Sequence, residues 1–181
     1  MATVLIPLAH GCEELEAVTI IDLLRRAGIT VTVAGLETGP VTASRGVVLL
    51  PDTTLDAVLD QNFDMVVLPG GLGGAQRLEA DQRITAMLRQ MTEQGRFVAA
   101  ICAAPRVLAK AGLLQDREVT AYPGILDGQP EIRLSSAAVV RDGTFITSRG
   151  PGTAMDFALN LIEILCGREQ RDTVEAALQR S

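Results

Sequence analysis

Tryptophan is absent from this 181-residue chain, tyrosine occurs once, and aromatic residues make up only 3% of it. Its core must therefore be aliphatic, and aromatic platforms on which nucleic-acid bases stack are excluded. Histidine occurs once, at His10, and cysteine three times, at Cys12, Cys102 and Cys166. So small and dispersed a set has no recognised metal-ligand spacing, and neither a metal nor a cofactor is expected. An odd, scattered cysteine count fits free thiols in a reduced compartment better than a disulfide framework. Positive charge is in deficit, with a formal net charge of -6. An acidic surface repels phosphate backbones and anionic membranes, so no stable nucleic-acid or membrane binding is expected. No apolar run is long enough to span a bilayer, and the opening MATVLIPLAHGCEELEAV lacks a basic region and a cleavage site. The expected location is cytoplasmic.

What is present is a globular balance, 48% hydrophobic and 21% charged. There is no repeat, low-complexity segment or linker, so residues 1–181 form one expected domain. Short aliphatic runs at Thr3–Leu8, Thr30–Ala34, Met65–Leu68 and Phe97–Ile101 suit strands covered on both faces. Helical patterns lie between them, over Glu13–Ala27, Gln82–Gln94 and Ala103–Ala111. The order predicts an α/β fold: a doubly wound, mostly parallel sheet with helices on both faces, flavodoxin-like in type. Later, Ala137–Val140 and Phe145–Thr147 flank Arg141-Asp142-Gly143, a hairpin signal that predicts a small antiparallel pair. Two helices close the chain, Thr153–Cys166 and about Arg168–Gln179, with Gly167 as the stop between them.

In open α/β sheets ligands bind at the carboxyl ends of the strands. Four segments should converge there: His10–Glu16, Leu68–Gly74, Ile101–Pro105 and Thr147–Gly152. Cys102 stands out, because the apolar strand runs straight into it and a helix is expected to start at Ala103. A thiol at a helix N-terminus feels the positive end of the dipole, which favours the nucleophilic thiolate. The arrangement is that of a nucleophile elbow; the ordinary alternative is a buried structural cysteine. Glu13, Glu14 and Glu16 begin the first helix, whose core stripe runs through Ala17, Ile20, Ile21 and Leu24. Glu13 and Glu16 fall at the edge of that stripe and Glu14 leads away toward Val18 and Asp22. A carboxyl pressed against the core stays protonated more readily and can hydrogen-bond a thiolate or shuttle a proton. Spacing does not choose between Glu13 and Glu16. Gly70 and Gly71 can aim backbone N–H groups at an oxyanion. The glycine run does not fit a dinucleotide fingerprint, since Gln76 stands at the third glycine position, and it lacks the ending of a phosphate loop. His10 is either a solvated loop residue or an assistant to Cys102. Cys166, among Leu161, Ile162 and Leu165, is expected in the core, and Cys12 near Cys102 without a catalytic role.

Five segments in order, GCEELEAV, DLLRRAGITVTVAG, VVLPGG, VAAICAAP and TSRGPGTAMDFAL, together resemble the ThiJ/PfpI superfamily. The resemblance spans nearly the whole chain and is strongest to the YajL-like branch of small dimeric members, related to the Parkinsonism-associated protein deglycase. It implies Cys102 as nucleophile and Glu16 as its carboxylate partner, with the N–H groups of Gly71 and Ala103 as oxyanion donors. Gly70, Arg26, Arg45, Leu15, Arg149 and Pro151 would frame the pocket or a homodimer interface built partly from the first helix. Many relatives carry Thr-x-His-Pro where this chain has Thr120-Ala121-Tyr122-Pro123, and tyrosine is no base near neutral pH. The YajL-like branch lacks that histidine as well. The implied activity is glyoxalase- or deglycase-like, with a small carbonyl compound or a glycated protein as substrate. The alternative is a redox sensor or chaperone that works through oxidation of Cys102.

Overall fold

The structure, a computed structural model, describes residues 1–180. Its elements in order are β1 (Thr3–Leu8), α1 (Glu14–Arg26), β2 (Thr30–Gly35), β3 (Val41–Thr42), β4 (Val48–Leu49), β5 (Thr53–Thr54), β6 (Met65–Leu68), α2 (Leu72–Ala80) and α3 (Gln82–Glu93). They continue with β7 (Phe97–Ile101), α4 (Pro105–Lys110), β8 (Glu118–Val119), β9 (Arg133–Leu134), β10 (Val139–Asp142), β11 (Phe145–Ser148), α5 (Ala154–Cys166) and α6 (Arg168–Ala177).

Seven strands form one sheet in the order β10-β11-β7-β6-β1-β2-β5. Every neighbouring pair is parallel except β10 with β11. The central strands consist almost wholly of buried aliphatic residues, as a sheet covered on both faces requires. The chain moves from β1 to β2 in one direction, then returns to the other side of β1 and moves away through β6 and β7. Crossovers of the same right hand therefore put α1 on one face and α2, α3 and α4 on the other. In agreement, α1 packs on α5 and α5 on α6, whereas α2 packs on α3 and α4. The reversal between β1 and β6 is a topological switch point, and its loops are residues 9–13 and 69–71.

Three details depart from the sequence expectation. Residues 72–74, read as part of a glycine loop, open α2, which runs to Ala80. A Cβ on Gly74 would stand 2.7 Å from the Cys12 backbone, so that glycine serves close packing inside a helix. The helix expected from Ala103 begins only at Pro105 and has six residues. The hairpin strand begins at Val139 and extends to Asp142, with Gly143 and Thr144 as the turn.

Candidate active site

Glu16 lies on the inner side of the first turn of α1 and is wholly buried. Its Oε2 accepts the Gly70 N–H at 2.8 Å, while Oε1 has no hydrogen-bond partner. The Cys102 thiol lies against this carboxyl. Only glycine fits at position 70: an added Cβ would meet Glu16 Oε2 at 2.5 Å and Cys102 Cβ at 2.6 Å.

Cys102 directly follows β7 with φ +63°, a left-handed backbone that costs a non-glycine residue about 1–3 kcal/mol. The surrounding chain holds it there. Its N–H donates to the Ser148 carbonyl and its carbonyl accepts the Tyr122 N–H, both at 2.9 Å. Tyr122 thus contributes its backbone N–H to the turn. The left-handed turn also explains the late start of α4. Residues 102–104 form a tight turn, and a six-residue helix opening three residues beyond the sulfur is not the dipole expected from sequence. The sulfur is instead served by the N–H groups of Gly71 and Ala103.

Burial pushes the Glu16 carboxyl up to about 7, opposed by its bonds to Cys102 and Gly70 and reinforced by the charge of Glu13. With Glu16 ionised beside it, the thiol is pushed up to about 12, by burial first and then by the carboxylate; the two N–H groups oppose this. Two adjacent buried charges are thus disfavoured, and the pair carries one negative charge between those limits. The sulfur faces the N–H groups of Gly71 and Ala103, and the carboxyl accepts one N–H, that of Gly70.

The other two glutamates have different tasks. Glu14, which the helical spacing directs outward, is buried and accepts from Ser44 Oγ (2.9 Å) and the Arg45 N–H (2.7 Å), and more distantly from the Val47 N–H. Desolvation opposes its ionisation, but these bonds and its own backbone hold the carboxyl below the usual range. Glu13 accepts from the same Ser44 hydroxyl at 2.8 Å. Ser44 is a residue the sequence analysis missed; no signal beyond its place beside Arg45 could have found it.

The remaining candidates scatter. Arg26 pairs with Asp22 on its own helix, and Leu15 and Arg45 are exposed near the start of α1. Arg149 is exposed and reaches the Ser136 carbonyl, while Pro151 opens a short 3-10 turn before α5. His10 accepts the Thr42 N–H on Nδ1 and takes no part in the hydrogen bonding of Cys102 or Glu16. Cys12 is buried beside Glu14, and burial pushes its thiol up to about 11, which keeps it protonated. Cys166 departs from expectation: the core stripe of α5 ends at Ile162, and the cysteine at the end of the helix is exposed. Among the described residues no group of three His, Cys, Asp or Glu side chains could hold a metal ion, and no helix is long and apolar enough to cross a membrane.

A cysteine at a strained strand-to-helix elbow in a parallel sheet defines a class of α/β proteins. Within that class the chain belongs to the DJ-1/PfpI family, whose model matches residues 2–164. Protein dj-1beta of Drosophila melanogaster is 46% identical over 180 residues, 96% of this chain and 95% of that protein. The crystal structure of that protein superposes with a TM-score of 0.96, covering 99% of this chain and 98% of the other. Oxidized Toxoplasma gondii DJ-1 also gives a TM-score of 0.96, at 43% identity over the whole of both chains. The glutathione-independent glyoxalase DJR-1.2 of Caenorhabditis elegans is 35% identical, over 96% of this chain and 92% of that protein.

Proposed function

We propose that this protein is a cysteine-dependent stress-response enzyme acting on α-dicarbonyls such as methylglyoxal, or on the early adducts they form on proteins. The observation that carries the proposal is the buried Glu16 carboxyl against a Cys102 sulfur that also faces two backbone N–H groups. The Cys102 thiolate adds to the aldehyde carbon, and the carbonyl π pair moves to oxygen. The N–H groups of Gly71 and Ala103 hold that oxygen until Glu16 protonates it, giving a hemithioacetal. Glu16, now a carboxylate, takes the carbon-bound proton and returns it to the neighbouring ketone carbon, while the hydroxyl proton of the hemithioacetal passes to the former ketone oxygen, leaving a 2-hydroxy thioester. Water hydrolyses the thioester to a 2-hydroxy acid and frees the thiol. A family relative named as a glutathione-independent glyoxalase supports this chemistry. The test is methylglyoxal consumption without glutathione. Wild type should turn over, while Cys102→Ala and Glu16→Gln should each lose about a hundred-fold or more. Undiminished consumption by Cys102→Ala would overturn the assignment.

A second reading makes Cys102 an oxidation switch. The orphaned Oε1 of Glu16 supports it, because a protonated carboxyl there would hydrogen-bond a sulfinate and halt oxidation at that stage. The relative solved in oxidized form is consistent with such chemistry. Mild peroxide should then add two oxygens to Cys102 and leave wild-type protein folded, whereas Glu16→Leu should proceed to the sulfonate.

A further inference from the structure

Beside the end of β1 lies a cavity of about 270 Å³ lined by none of the residues assigned to the Cys102 site. It is bounded by the loop after β1, the loop from β2 to β3, and the turn from α2 into α3. This is the ligand side of the sheet, at the carboxyl ends of two adjacent parallel strands. Its floor is apolar, with Leu8 and Val41 buried and Leu36 half-buried beside them.

The polar groups around this floor are unequal in what they have left to offer. Arg83 is a strut: its guanidinium binds Asp81 (2.6 Å), Asp56 (2.7 Å) and the Leu36 carbonyl (3.0 Å). Both oxygens of Asp81 are in turn taken by Arg83. Arg77, one turn before the end of α2, pairs with no carboxylate among the described residues. His10 has Nδ1 occupied by the Thr42 N–H at 3.0 Å, so in the neutral ring Nε2 carries the proton and is the free donor. The unsatisfied groups are thus a guanidinium and an imidazole N–H over an aliphatic floor. The one free carboxylate, Glu37, is exposed on the rim.

We propose that this cavity binds a small organic carboxylate with an apolar tail, the carboxylate held by Arg77 and His10 and the tail lying on Leu8, Leu36 and Val41. An Arg–carboxylate contact is charge-assisted and geometrically specific, and a cavity of this size suits a ligand at the small end of the usual range. The site is separate from the chemistry at Cys102, so Cys102→Ala leaves its affinity unchanged.

The experiment is a titration of the isotopically labelled full chain with hexanoate, followed by amide resonances. Saturable shifts are expected at His10, Gly39 and Val41. Arg77→Met should weaken binding about ten-fold, His10→Phe should weaken it, and Glu37→Gln should tighten it by removing a like charge. Arg77 and Glu37 are exposed, so neither replacement threatens the fold. Hexan-1-ol and hexylamine should produce no saturable shifts at these amides. Four results would overturn the proposal: no saturation with hexanoate, equal affinity in Arg77→Met, hexylamine or inorganic phosphate binding as well as hexanoate, or shifts confined to Gly71 and Ala103.

Discussion

The smallest scale at which this protein does anything unusual is a pair of side chains, Glu16 and Cys102. Glu16 titrates near 7 when folded against an ordinary 4.5, because burial penalises its charge. A carboxyl raised in this way contributes stability that is complete below its unfolded value and is lost as pH rises through the folded one. Glu16→Gln removes the ionisation. It should therefore stabilise the protein by roughly 3 kcal/mol at pH 8, with the gain vanishing toward pH 4. Urea unfolding of both proteins across that range measures it, and a pH-independent difference would show that Glu16 is not the titrating group. The same proton governs reactivity. Below about 7 the pair gains its second proton, and the thiolate that forms when sulfur passes its proton to the Glu16 carboxylate is no longer accessible, so turnover should fall about ten-fold per pH unit there. Glu16→Leu takes away the donor to sulfur, whereas Glu16→Gln keeps one. The ultraviolet absorbance of the thiolate, corrected with Cys102→Ala, should shift to higher pH clearly in the leucine variant and less in the glutamine variant.

At the scale of elements, α1 is fixed to the β3–β4 region by Glu14, whose carboxylate takes the Ser44 hydroxyl and the Arg45 N–H. Glu14→Ala should release that loop. Hydrogen exchange at the Arg45 amide should accelerate about ten-fold, the loss of one charge-assisted bond, while amides of β6 and β7 stay protected. Unchanged exchange at Arg45 would mean the loop is held by its backbone alone. Glu14 also marks where sequence stops being informative. Helical spacing on α1 identified the inner stripe and left Glu13 and Glu16 open, but Glu14 is buried by a loop from a distant part of the chain, which no local period records. β1, β2, β6 and β7 were legible because buried parallel strands are continuous aliphatic runs. α2 was hidden because its glycines, placed for contact with the loop after β1, look like a loop. The late start of α4 follows from a left-handed φ at Cys102 that the surrounding hydrogen bonds impose and the residue itself does not announce. Of the backbone donors on sulfur, the glycine loop pointed to Gly70 and Gly71 together, whereas the choice of Gly71 and the addition of Ala103 rested on the family resemblance, because a main-chain N–H carries no side-chain signature.

The whole molecule leaves part of its apolar surface uncovered. α1 buries Ala17, Ile20 and Leu24 against the sheet, yet it also turns Leu15, 51% exposed, and Val18 to the outside. Beside them the β3–β4 segment shows Val47, Val48 and Leu50, the last 78% exposed. The two groups are neighbours: Glu14 ties α1 to this loop, and Val18, Ile21, Leu49 and Leu50 line one shallow groove. Large exposed residues scattered singly need no explanation, but a contiguous group of them on a small protein marks an interaction surface. A patch centred on one helix can meet its own copy across a two-fold axis, the commonest symmetry of soluble assemblies, and the expected state is a homodimer. Arg26 and Arg45 flank this surface, Arg26 already paired with Asp22, so charge alone does not hold the copies together. Sedimentation at micromolar concentration should give a dimer for wild type and a folded monomer for Leu15→Glu combined with Leu50→Glu. Both positions are exposed in the single chain, so the variant should unfold in urea with little change in its protomer fold, and any change in oligomeric state reports the interface. A wild-type monomer, or a double variant that remains dimeric, would place the contact elsewhere. Arg45 and Glu14 are adjacent to Ser44 and Glu13, and Glu13 raises the Glu16 carboxyl. Dissociation should therefore also alter the pH at which turnover declines, because it changes the solvation of the acidic cluster next to the catalytic pair.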